Sequence, residues 1–196
     1  MTLPIVAYGS PVLRKVCKPI TQNYPKLNEL IATMYETMYA ARGVGLAAPQ
    51  IGLPIRLFIV DASPFAEDEE LSKEEQNHLQ ILKKTFINAI ILEESGKEWA
   101  FNEGCLSIPD IREDVFRQEK IKIEYYDENF KKHTEEYTGI AARIIQHEYD
   151  HIEGILFTDK LSPLKKRLIK SKLTAISKGK IKVDYRMKFP LAKKKR

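Results

Sequence analysis

Cysteine is scarce in this chain: Cys17 and Cys105 are the only two among 196 residues. Two thiols cannot build the disulfide framework of a small secreted domain, so each is either a buried small hydrophobe or a working thiolate. Long apolar runs are missing as well. No stretch approaches the roughly twenty residues that span a bilayer. The opening "MTLPIVAYGSPVLRKVCKPI" lacks the basic, apolar, small-residue order of a signal peptide, and it is not the Ser/Arg-rich stretch of a transit sequence. A cytoplasmic protein with no membrane partner is expected. Internal repeats are absent. Acidic residues run out toward the C-terminus, where Asp184 is the sole acid against fifteen Lys or Arg from Lys160 to Arg196. That segment carries +14, and residues 1–159 carry −9. Such asymmetry suits a polyanionic partner, although a solvated helix face explains many Lys-rich segments equally well.

What is present describes a globular protein of one default domain, 43% hydrophobic and 30% charged, long enough to bury a substantial core. Leu27, Leu30, Ile31, Met34, Met38 and Ala41 recur at three- and four-residue steps between Pro25 and Gly43, which predicts a helix. "IRLFIVD" (55–61), "FINAIIL" (86–92) and "KIKIEYYD" (120–127) have strand composition. The acidic stretch around residues 66–80 shows no apolar stripe before Leu79 and is expected to be an exposed, mobile insertion. Beyond Pro163, Leu164, Leu168, Leu173 and Ile176 form a weaker amphipathic pattern; "KIKVDYRM" alternates like a strand, and "KKKR" is expected to be disordered. The order of elements indicates an α+β fold, with mixed or antiparallel strands around a central helix.

That central helix carries the chemistry. In "IIQHEYDHIEGILF" (144–157), Ile140, Ile144, His147, Glu148 and His151 fall on or beside one face, between Gly139 and Gly154. One imidazole on such a face is commonly a satisfied core histidine. Two at i and i+4 around a glutamate can grip a divalent cation while the carboxylate handles the proton of a water. A third ligand is needed. The extended HExxHxxGxxH pattern fails, because Phe157 stands where its last histidine belongs. Asp184 is the only acid after Asp159, and His78 and His133 read as surface residues. Cys105, in "NEGCLSIPD", remains: the glycine before it permits close backbone approach, and a thiolate would complete a set of one Cys and two His. Cys17 has neither a histidine nor a glycine-rich turn beside it and is read as inert.

Three stretches, "GVGLAAPQIG" (43–52), "EGCLS" (103–107) and "QHEYDH" (146–151), together resemble the signature motifs of the peptide deformylases, in order and in spacing. The resemblance runs from "PVLRKVCKPI" to about "FTDKLSP" and lapses in the acidic insertion and the tail. It implies a catalytic domain over 1–162, followed by a basic helix, strand and tail over 163–196. It further implies an enzyme that hydrolyses the formyl group from formyl-methionine at the start of newly made polypeptides. One divalent metal would be held by Cys105, His147 and His151, with Fe2+ expected and Zn2+, Ni2+ or Co2+ accepted by the same donors. Metal-bound water would attack the formyl carbonyl, and Glu148 would carry its proton to the amine. Gln50 and the backbone N–H of Leu106 would face the oxyanion. Val44 and Gly45 would lie along the peptide, Arg112 would meet its backbone, and Phe101, Ile140 and Ile144 would enclose the methionine. Glu103 is expected to orient a ligating imidazole, and Asp150 to pair with Arg117. A ribosome contact through the basic tail and a monomeric state complete the expectation.

Three other readings stay open on the residues alone. A zinc metallopeptidase would cut internal peptide bonds, a cysteine hydrolase with His147 activating Cys105 would ignore chelators, and a basic RNA-binding module would bind without turnover.

Overall fold

The computed structural model describes residues 2–192, so the "KKKR" expectation lies outside the described residues. Strands β2 (Gly45–Ala47), β3 (Leu57–Asp61), β4 (Lys83–Cys105), β5 (Ile108–Tyr126) and β6 (Lys132–Thr138) form one antiparallel sheet in that spatial order. β4 and β5 are one long hairpin, far longer than the apolar runs that announced them. Its distal half, around "ESGKEWAFN", is polar because much of it faces solvent. The hairpin closes with Cys105 paired to Ile108 and a two-residue turn at Leu106 and Ser107, after a register shift between Gly104 and Cys105. Cys105 is therefore the last residue of its strand.

Helix α1 (Leu27–Ala40) buries Leu27, Ile31, Met34 and Met38, the face its spacing predicts. Helix α3 (Gly139–Ile152) carries HEYDH and packs against β2, β3, β5 and β6. It is enclosed rather than merely amphipathic: Arg143, Gln146 and Asp150 are buried along with the apolar stripe. Gly154 ends it at φ +73°, and a Cβ there would lie 2.8 Å from the backbone of Arg14, so both conformation and contact call for glycine.

Two expectations are corrected. The acidic segment is exposed over most of its length, as expected, but it is not without regular structure. It contains helix α2 (Lys73–Ile81), whose N-cap Ser72 accepts from the backbone N–H of Glu75 at 3.2 Å and whose Leu79 is buried in the main core beside Leu82. "KIKVDYRM" is not a full strand: only Met187–Lys188 (β7) pairs, in parallel with β1 (Ile5–Val6), and residues 182–185 instead run along the cleft described below. Helix α4 (Pro163–Ser177) buries Ile169, Leu173 and Ile176 in a cluster shared with Val6, Leu13, Ile108 and Val115, while Leu164 and Leu168 are exposed. Among the described residues no helix is long and apolar enough to cross a membrane.

Candidate active site

The turn of the β4–β5 hairpin meets the middle of α3. There the Sγ of Cys105 and the ring nitrogens of His147 and His151 lie within 4.8 Å of one another. Cys105 Sγ is 3.3 Å from His151 Nε2. The chemistry of these donors fits a borderline-soft divalent cation, since a thiolate and two neutral imidazoles are its preferred ligands. Their orientation fits too. His147 Nδ1 is 2.9 Å from Glu103 Oε2, and a carboxylate can only accept, so Nδ1 carries a proton and Nε2 is the nitrogen turned toward a metal. Burial, the largest influence, drives His151 well below the usual imidazole range, so its ring is a neutral donor.

Glu103 sits at the centre of a buried ionic network. Arg117 donates from Nε to Glu103 Oε1 at 2.7 Å and from one terminal nitrogen to Oε2 at 3.0 Å, and its other terminal nitrogen donates to Asp150 Oδ2 at 2.6 Å. Arg143 adds a bond to Glu103 Oε1 at 3.1 Å and ties the backbone carbonyls of Val115 and Trp99. Burial alone would raise the Glu103 carboxyl, but His147 and Arg117 outweigh it and hold it well below the usual carboxylate range. The pairings of Glu103 with His147 and of Asp150 with Arg117 are those the motifs suggested. Arg143 was missed: nothing in "AARIIQ" distinguishes a buried arginine from a solvent-facing one.

Glu148 is the second carboxylate, and its surroundings differ. Burial pushes it up to about 7, with His147 opposing that rise, and its Oε2 is buried without a hydrogen-bond partner among the described residues. A carboxyl of that strength can take and return a proton near neutrality. Gly45 makes room for it, since a Cβ at that position would lie 2.4 Å from Glu148 Oε1. Gln50 faces the same space. Its Oε1 accepts from Ala47 N–H at 2.8 Å, which fixes the amide so that Nε2 points to Cys105 Sγ at 3.5 Å and Ser107 Oγ at 3.3 Å.

These groups open onto a cleft of about 880 Å³. Val44, Gly45 and Gln50 line one side, with Leu106 and Glu148 at the base. Phe101 and Ile144 form an apolar wall, which Phe65 extends by meeting Phe101 edge to face at 6.0 Å. Phe65 went unnoticed because it precedes the acidic segment. Arg112 stands at the rim, bonded to Asn102 Oδ1 at 2.9 Å. Ile140 does not reach the cleft. One turn before Ile144, it is buried in the main core beneath. Cys17 is buried as well, its thiol pushed up to about 11 mainly by that burial, in keeping with an inert residue.

What such a cleft can do to a bound peptide is add water across an amide, and the class it defines is that of the metal-dependent hydrolases. Within that class, the chain belongs to the peptide deformylase family: the family model described as polypeptide deformylase matches residues 2–167. The peptide deformylase of Christiangramia forsetii is 68% identical over 196 residues, 100% of both chains. That of Flavobacterium psychrophilum is 67% identical over 189 residues, 96% of this chain and 97% of the relative. A crystal structure of a peptide deformylase from Legionella pneumophila matches with TM-score 0.76 at 36% identity, covering 92% of this chain and 98% of that one. The chain is an enzyme of a metal-dependent family that removes the N-formyl group from nascent peptides.

Proposed function

We propose that Cys105, His147 and His151 hold one divalent cation, ferrous iron, and that Glu148, Gln50 and Leu106 carry out deformylation around it. The observation that carries this reading is the convergence of a thiol at a hairpin end with two imidazoles from a distant helix, beside a carboxylate whose buried Oε2 has no hydrogen-bond partner among the described residues. When bound, such a cation supplies Lewis acidity, making water nucleophilic at neutral pH. The residues of the chain do the rest. Glu148 accepts the proton of the attacking water and delivers it to the departing methionine amine. Gln50 Nε2 and the Leu106 N–H donate to the developing oxyanion. The peptide extends beside β2, which forms the edge of the sheet, so the Gly45 backbone can hydrogen-bond to it as an added strand. Val44, Phe101 and Ile144 receive the methionine side chain, and Arg112 meets the peptide backbone. We take the enzyme to act in the cytoplasm as a monomer.

The test is metal analysis of protein purified without oxygen, paired with a deformylation assay on formyl-Met-Ala-Ser. One equivalent of iron and full turnover are expected, with both lost on chelation and recovered when ferrous iron is restored. Cys105→Ser replaces a soft thiolate by a hard hydroxyl, so metal retention should fall at least tenfold. Stoichiometric iron and full activity in that variant would remove Cys105 from the site.

The basic C-terminal region is proposed to bring the enzyme to the ribosome, whose surface is rich in RNA phosphate. Lys166, Arg167 and Lys170 are exposed on α4, whereas Lys165 is already paired with Glu113 at 2.9 Å. Changing those three exposed residues to Glu should leave short-peptide hydrolysis intact. Ribosome co-sedimentation at low salt should fall by tenfold or more, since on the order of three phosphate contacts are lost. Unchanged sedimentation would end the docking role.

A further inference from the structure

Beyond the segment that the family model matches, the chain returns to the cleft. Residues 182–185 form part of its wall, and the Tyr185 hydroxyl donates to the backbone carbonyl of Leu106 at 2.8 Å. Resting on the oxyanion reading above, we propose that Tyr185 is a positioning residue for catalysis: it holds the Leu106 turn so that its N–H faces the oxyanion.

Three observations support this. First, the turn at Leu106 and Ser107 is held by few bonds: besides the 3.3 Å contact of Gln50 Nε2 with Ser107 Oγ, its backbone carbonyls carry the hold. It lies beyond the last hairpin pair, Cys105 with Ile108, so its carbonyls look outside the sheet for donors. The Ser107 carbonyl accepts from the Tyr8 N–H at 2.8 Å, and the Leu106 carbonyl accepts from Tyr185. Second, the donor itself is anchored. Directly after Tyr185, the Arg186 carbonyl accepts from Ile5 N–H and the Lys188 carbonyl from Ala7 N–H, both at 2.9 Å, and the Arg186 side chain donates to the Thr2 carbonyl. Just before it, Asp184 pairs with Arg42 at 2.8 Å, across the cleft mouth. Third, Gly43 lets the Leu106 side chain approach the loop that leads to β2, since a Cβ at Gly43 would lie 2.7 Å from it. The turn is thus held through Tyr8 and Tyr185, which flank β1 and β7 in sequence, and its leucine packs against the loop that leads to β2.

An oxyanion donor acts on the transition state rather than on bound substrate, so loosening it should lower kcat and leave KM in place. Tyr185→Phe keeps the ring and removes only the hydroxyl. With formyl-Met-Ala-Ser and iron-loaded enzyme, kcat should fall about 3- to 10-fold, the range expected for one neutral hydrogen bond. KM and iron content should stay at wild-type values, and the melting temperature should fall by only about 2–4 °C. A wild-type kcat overturns the proposal, and so does a loss expressed in KM alone, which would make the segment a substrate wall only. Gln50→Ala, measured alongside, separates the two levels. A large kcat loss in Gln50→Ala with a silent Tyr185→Phe keeps the oxyanion reading and rejects Tyr185, whereas silence in both rejects the oxyanion reading itself.

Discussion

Glu148→Gln lowers kcat on formyl-Met-Ala-Ser about 10²- to 10⁴-fold while iron stays at one equivalent. The amide is nearly isosteric with the carboxylate and leaves Cys105, His147 and His151 untouched, so the metal site survives. What is lost is the proton carrier. Burial sets the Glu148 carboxyl near about 7, where it can both accept and return a proton, and an amide can do neither at any pH. Single-turnover rates and metal analysis on the same preparation check this. Turnover within threefold of wild type would show that the proton travels by another group.

Arg117→Met is expected to cost about 3–5 kcal/mol of stability, the range for stripping one partner from a buried ion pair. The Arg117 side chain is 3% exposed and satisfies two carboxylates that are themselves nearly enclosed, Glu103 at 3% and Asp150 at 12%. Methionine fills much of the volume and leaves both acids short of a counter-charge. Urea unfolding at pH 7 measures the loss. Adding Glu103→Gln and Asp150→Asn should restore a large part of it, because the penalty belongs to unpaired charge rather than to missing volume. A shift below about 1 kcal/mol, the level of an exposed pair, would mean that water reaches the network.

How much of this was legible in the sequence depended on distance along the chain. HEYDH is a local pattern, and helical spacing alone superposes its imidazoles. Cys105 is 46 positions from His151, so its part followed from elimination and family resemblance, not from geometry. The cap of α2 was written locally: Ser72 followed by Glu75 is a helix start, yet the acidic composition around it masked the signal and Leu79 seemed isolated. Ile140 shows the reverse failure, since helical periodicity places it with Ile144 but cannot say where the cleft floor ends. Arg143 and Tyr185 were out of reach, because their partners Val115, Trp99 and Leu106 are fixed only by the closed tertiary structure.

The parallel pairing of β1 with β7 also sets an order of events during synthesis. The Arg186 side chain bonds to the Thr2 carbonyl across 184 positions, among the longest separations a chain of this size permits. Contacts of such range form late, after the entropy of closing the intervening loop has been met by the rest of the core. While the chain is still being elongated, its first strand has no partner, and the turn carrying Cys105 and Leu106 lacks the hold from Tyr8 and Tyr185. A partly made copy would therefore carry the HEYDH helix well before it had a finished cleft, and full turnover would arise only after residue 188 had cleared the exit tunnel.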